Sequence, residues 1–397
     1  MTQPVSTPTP GPAGTAPPPS APPPAFGVRL AAGLLGVLLA AILSGLNNRV
    51  PGLALADVQG ALGFAQDDAS WLNTAYAAGE LAAMPFATWF AVTFSMRRFH
   101  LAMLAGALVL SAILPFVQSL SLLLALRALQ GLLSGALIPM LMMSALRFLP
   151  PPIRLHGLAL YAMTATFAPN VALWLAALCV DRLEDWRWVY WQAIPLGLVA
   201  MGLVAWGVPK MPPALSRLKQ GNWLGMALGV PGLALVVAGL DQGVRLDWFH
   251  SPLIVATLGV GIVLTALFLA TSVVQPMEGP SVAGIVNTFR AFSSVLGGAL
   301  IGQLTTVRSH FHADMLLDHA GHLLPRLPPS DPGALTLAAM VSQQAGVLAA
   351  ADVYRVFGWL ALLLIPIVLK LQYIPAPAQT RTPQATPPAG TQTGTAH

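Results

Sequence analysis

Ten stretches of this sequence are apolar all round for long enough to cross the roughly 30 Å hydrocarbon core of a bilayer. They fall at residues 28–46, 70–90, 99–117, 120–141, 155–178, 188–208, 223–240, 252–274, 283–306 and 353–371. Runs of this kind leave little choice of fold. Only 8% of the residues are charged and 56% are hydrophobic, against roughly 25% charged in a soluble domain, so no water-facing shell can be built. A transmembrane barrel is excluded as well, because its strands alternate apolar and polar residues. The expectation is an all-α polytopic membrane protein with about ten transmembrane helices.

An even number of spans puts both ends of the chain on one side. Lys/Arg bias assigns that side. Ten bases, from Arg29 to Arg381, lie on the side of the tails, against Arg49, Arg182, Arg187 and Arg245 in the short connectors opposite. The long last connector, 307–352, adds Arg308, Arg326 and Arg355. Both tails are therefore expected in the cytoplasm. The segments 1–25 and 374–397 are Pro-rich, cannot bury a core and are expected to be disordered. With one cysteine, Cys179, there is no internal disulfide. The net charge of +5 is spread over connectors and is no nucleic-acid footprint.

No nucleophile triad, P-loop or dinucleotide fingerprint is present, so neither an enzyme nor a cofactor is expected. Without a P-loop, active transport must draw on an ion gradient or on another subunit. Glu80 is the most informative residue, ten positions into the second span. A carboxylic acid near the midplane is costly to keep charged, and it can take up or release a proton as solvent access changes sides. The competing reading is a structural acid bonded to a neighbouring helix. Arg127, in the fourth span, must snorkel outward or meet an acceptor. Asn287 and Arg290 form the comparable pair in the ninth. In the last connector His310, His312, His319 and His322 accompany Asp314 and Asp318, but no metal motif has their spacing, and a solvated helix is the better reading. Gly131-x-x-x-Gly135, Gly225-x-x-x-Gly229 and Gly298-x-x-x-Gly302 are expected to allow close helix approach. Pro169 and other prolines are expected to kink their spans.

The pattern Arg127-x-x-Gln130-Gly131-x-x-x-Gly135 resembles the fourth-helix motif of the major facilitator superfamily. Ala168-Pro169 resembles the start of its antiporter motif on the fifth helix, and Trp186 to Trp191 the entry to the sixth. Leu240-Asp241-Gln242-Gly243 through Phe249 resembles the outer turn between two extra helices of the fourteen-span drug:proton antiporter branch, the EmrB-like multidrug exporters. Asn287-Thr288-Phe289-Arg290 resembles that branch's thirteenth helix. Departures are plain: Ala172-Leu173 and Ala176-Ala177 replace the antiporter motif's Gly-Pro and Gly-Gly. Ser44-Gly45-Leu46-Asn47-Asn48 stands where an acid is expected late in the first span. Only 275–280 separates the eighth span from what resembles the thirteenth, so four helices of the second half are missing from the pattern.

The resemblance implies a six-helix bundle over 26–210, two inserted helices over 211–280, and the remnant of a second bundle over 281–373 with an outer loop at 307–352. It implies proton-coupled efflux of small amphipathic compounds across a bacterial-type inner membrane. Glu80, Arg127, Gln130, Asn287 and Arg290 are the coupling and substrate candidates, with Gly131, Gly135 and Pro169 as motif positions. It also implies a periplasmic adaptor and an outer-membrane channel as partners. The alternative, suggested by the gap, is a transport-inactive relic or an accessory subunit.

Overall fold

The computed structural model describes residues 26–272, 279–319 and 332–370. The expected tails at 1–25 and 374–397, most of the link at 275–280, and His322 lie outside the described residues. Among the described residues every regular element is a helix. The first nine are α1 (Val28–Leu53), α2 (Leu55–Leu62), α3 (Gln66–Phe94), α4 (Met96–Ile113), α5 (Leu120–Gly135), α6 (Leu137–Phe148), α7 (Pro151–Ala177), α8 (Trp188–Trp191) and α9 (Ala193–Gly207). The remainder are α10 (Trp223–Gly243), α11 (Pro252–Ser272), α12 (Gly279–His319) and α13 (Pro332–Lys370).

Eight of the described helices or joined helix pairs are long and apolar enough to cross a membrane, and the bent α7 region makes nine. The tenth expected span, 70–90, lies within the 29-residue α3. Glu80, Trp89 and the threonines dilute its apolar run, while fifteen of its residues are buried among neighbouring helices. The bend of about 40° in α7 falls between Thr164 and Thr166. Pro169 explains the place: a proline removes the hydrogen bond to the carbonyl four residues back and clashes with it. At the start of α10, the Asn222 side chain accepts from the Gly225 amide at 2.8 Å, a side-chain cap that fixes where the helix begins.

Backbone contacts divide the chain at Gly302 into two compact units. In the first, α1 packs on α7 and α9, and α5 packs on α3 and α4. Exchanging the first three spans (α1, α3, α4) with the next three (α5–α6, α7, α8–α9) turns the α1–α7 contact into α5–α3. It turns α1–α9 into α5–α4. Each contact thus has its counterpart, the pattern that a pseudo-two-fold repeat gives. Gly33 and Gly36 let α9 approach α1 backbone to backbone at Gly207 and Ala200. The pair α10 and α11 joins this bundle through α10 against α3. Leu233 and Val237 of α10 share a buried cluster with Ala78, Leu81 and Ala82, against which Ala291, Phe292 and Val295 of α12 also pack.

The second unit holds the rest of α12 and α13. The segment 307–352, expected as an outer loop, is helical over 307–319 and again over 332–352. Residues 303–319 contain neither Gly nor Pro, so the charges that end the apolar run do not end the helix. Asp352 gathers this unit's bases: Arg308 Nε donates to it at 2.6 Å, His312 Nε2 lies 2.7 Å away, and Arg355 Nη1 donates at 3.0 Å. Of the histidines, His312 joins this ion-pair cluster, and no group of three or more His, Cys, Asp or Glu among the described residues is placed to hold a metal ion.

Candidate functional site

The first unit contains a cavity of about 770 Å³. Its walls come from α1 at Gly45, Asn48 and Arg49, from α3 at Ala77 and Glu80, from α7 at Thr164 and Pro169, and from α10 at Asp241. Asn287, Arg290 and Gly298 of α12 complete it. Glu80, Asn287 and Arg290, separated by two hundred residues of chain, thus share one chamber with Pro169.

Glu80 is only 9% exposed. Its Oε2 accepts from Asn48 Nδ2 at 2.5 Å and its Oε1 from Ser44 Oγ at 3.4 Å. Both donors come from the segment of α1 that stands where the family pattern has an acid. The first helix therefore presents neutral donors to the acid of the second, which hold a carboxylate without placing a fixed cation on it. Across the chamber the Tyr161 hydroxyl donates to Asn287 Oδ1, and the Arg290 guanidinium lies 5.1 Å from the Tyr161 ring centroid. This cation–π stacking and the hydrogen bond tie α12 to α7.

Arg127 and Gln130 sit outside this chamber. Arg127 is completely buried and does not snorkel. Its Nη1 donates to Gln130 Oε1 at 2.7 Å and to the Asn47 carbonyl at 3.2 Å, and its Nε to the Leu72 carbonyl at 3.4 Å. The guanidinium lies 4.5 Å from the Tyr76 ring centroid and 5.7 Å from that of Tyr190. Gln130 Nε2 passes the chain on to Ser111 Oγ of α4 at 2.8 Å. Tyr76 links this network to the acid's neighbourhood, since its hydroxyl donates to the Ser44 carbonyl at 2.9 Å. Gly131 and Gly135 lie against the α3 backbone at Tyr76 and Glu80, where an added Cβ would meet main-chain atoms closer than 3.0 Å.

Sequence reasoning overlooked four polar contributors: Ser44, Asn48, Tyr161 and Asp241. The first two were noted only as the absence of an acid, although two donors one helical turn apart are what a facing carboxylate needs. Asp241 adds a second carboxylate to the chamber and is held by Thr74 Oγ1 at 2.5 Å. Behind it, Gln242 Nε2 donates to the same hydroxyl at 2.5 Å, and Arg245 pairs with Asp67 at 2.8 Å.

The sequence profile described as Major Facilitator Superfamily matches residues 37–222. These residues belong to the major facilitator superfamily. The match runs from α1 through the loop before α10 and so takes in the α1–α9 bundle. Among relatives, the fatty acid resistance protein FarB of Neisseria gonorrhoeae is 28% identical over 238 residues, 60% of this chain and 46% of that protein. The probable multidrug resistance protein EmrY of Escherichia coli is 27% identical over 251 residues, 62% of this chain and 47% of its own. The multidrug export protein EmrB of the same species is 26% identical over 240 residues, with 60% and 46% covered. The chain spans about half the length of the curated relatives it matches.

Proposed function

We propose that this superfamily member exports small amphipathic compounds across a bacterial-type inner membrane in exchange for protons. One observation carries the reading: Glu80 faces a chamber of about 770 Å³ and is held by Asn48 and Ser44, not by a fixed cation. A carboxylic acid so placed has a protonated form that loses little and an ionised form that Arg49 or Arg290, on the same walls, can approach. A cationic amphiphile and a proton would compete for it. Superfamily relatives named for multidrug and fatty acid resistance support the substrate class. A periplasmic adaptor and an outer-membrane channel belong to the same reading.

The purified full chain in proteoliposomes tests it. Addition of a lipophilic quaternary ammonium compound on the substrate side should release protons, recorded with an enclosed pH dye. Silence from correctly inserted protein would favour the transport-inactive alternative.

The sidedness in this reading is tested separately. The loop before α10 is expected in the cytoplasm with both tails. Thr93 is a poor reporter, because it is fully buried and its carbonyl accepts from the Ala214 amide at 2.8 Å. Pro212 is exposed. With Cys179 replaced, Pro212→Cys should resist an impermeant thiol reagent in intact cells and react after lysis. Labelling in intact cells would reverse the topology.

A further inference from the structure

A second cavity, of about 650 Å³, is lined by a different stretch of α3, from Ala83 to Phe94, and has an entirely different character. Its walls are Phe86, Phe90, Phe94 and Phe99, with Leu133 of α5 and Met226 of α10. Phe90 stacks on Phe94 at 6.0 Å and on Phe99 at 6.1 Å. Small residues, Ala83, Ala87, Ala102 and Ala136, leave the space open. One charged side chain lines it, Arg98, and that residue is exposed.

The position of the mouth follows from the helices. Phe94 is the last residue of α3 and Arg98 lies in the first turn of α4, so the opening is at helix ends, the level of the lipid–water boundary. Trp89 and Trp223 stand edge to face beside it at 5.8 Å, as interfacial aromatics do. Pro213 and Leu215, from the connector between α9 and α10, also line the cavity, and Lys219 is exposed on the same short helix, Leu215–Gln220. The two connectors carry Arg97, Arg98, Lys210, Arg217 and Lys219, and no acid occurs between residues 81 and 180 or between 186 and 240. An apolar slot with Arg98 at its mouth, at the membrane surface, matches an anionic lipid at both of its ends.

We propose that this groove holds an acyl chain of an anionic phospholipid from the surrounding bilayer, its phosphate set against Arg98. Nothing in this assignment depends on export. The aromatic wall receives the chain, and the cationic connectors discriminate between headgroups. The groove begins at Ala83, one turn from Glu80, so an occupied groove packs against the helix that carries the acid.

Native mass spectrometry of the full chain, with phosphatidylglycerol and phosphatidylethanolamine of identical chains, tests the assignment. The phosphatidylglycerol adduct should be retained over the zwitterionic lipid by roughly fivefold for each cation that contributes. Arg98→Gln should reduce that preference by about fivefold, and Lys219→Gln added to it should reduce it further. Ala102→Trp fills the slot without touching a charge and should remove the adduct of either lipid. Met226→Trp fills it from the α10 wall and replaces that variant if Ala102→Trp does not fold. Equal retention of the two lipids by the unaltered chain overturns the proposal. So does a folded slot-filling variant that keeps its phosphatidylglycerol, which would leave the lipid held by the bases alone.

Discussion

Glu80→Gln is expected to reduce drug-driven proton release in proteoliposomes to the level of protein-free vesicles. The amount of protein inserted should stay unchanged. The substitution keeps the shape of the side chain. A glutamine oxygen accepts from Asn48, and its amide donates to the Ser44 hydroxyl, which accepts as readily as it donates. The two contacts seen at 2.5 and 3.4 Å therefore survive in altered polarity, and the stability change should stay within about 1 kcal/mol. What disappears is the titratable proton. The other acid on the chamber wall, Asp241 of α10, is turned to Thr74 of α3 and does not share the Asn48 and Ser44 donors. A cationic substrate should lose affinity with the carboxylate it shares with the proton, whereas a neutral amphiphile should still bind, so fluorescence titration with a neutral dye separates loss of coupling from loss of the site. Proton release by Glu80→Gln at the unaltered rate would remove Glu80 from the mechanism.

The helical architecture was legible because the constraint is severe: an apolar run of membrane length has to be helical, and each of the ten expected runs is helical over nearly all of its described residues. What could not be read from pattern alone were distances between helices. The three Gly-x-x-x-Gly patterns are equivalent as strings. In the structure, Gly131 and Gly135 abut backbone, Gly225 faces the Asn222 side chain, and Gly229 faces Phe268 and Phe86. Gly298 has nothing within 4 Å among the described residues and instead lines the chamber. Spacing states that a helix can be approached, and only the neighbour decides whether it is. The candidate site shows the same limit. Glu80 and Arg127 stood out because charge is expensive in lipid, but their partners are neutral and therefore silent in a search for charge. Arg127 was expected to snorkel or meet an acceptor; it met carbonyls and a glutamine, which any helix can offer. The extension of α12 beyond residue 306 was hidden for a related reason. Loss of apolarity marks the end of a span, whereas loss of helix requires Gly, Pro or a cap.

Gly135→Val is expected to remove most of the folded protein from the membrane fraction, and Gly135→Ala to lower its melting temperature markedly. A Cβ at this position would lie 2.7 Å from Glu80 Cα and 2.8 Å from Glu80 C. Those are main-chain atoms inside a helix and cannot rotate aside. Gly79 faces back across the same seam, where a Cβ would fall 2.9 Å from the Leu132 amide nitrogen, so α3 and α5 are interlocked from both sides. Relief requires the two helices to separate, which also opens the packing beside Arg127 and Tyr76. Overpacking of this kind costs about 1–3 kcal/mol, and in lipid there is little hydrophobic drive between helices to offset it. A branched side chain adds further bulk in the same place. Gly298→Ala is the control: its Cβ meets nothing, and it should melt with the unaltered chain. The two effects on Glu80 are separable. Glu80→Gln should fold and fail to exchange protons, while any surviving Gly135→Ala should keep the acid but hold it displaced, giving slower exchange. Melting of Gly135→Ala and Gly135→Val within a degree of the unaltered chain would mean that α3 and α5 are not in backbone contact, and the seam that places Glu80 at the chamber wall would have to be redrawn.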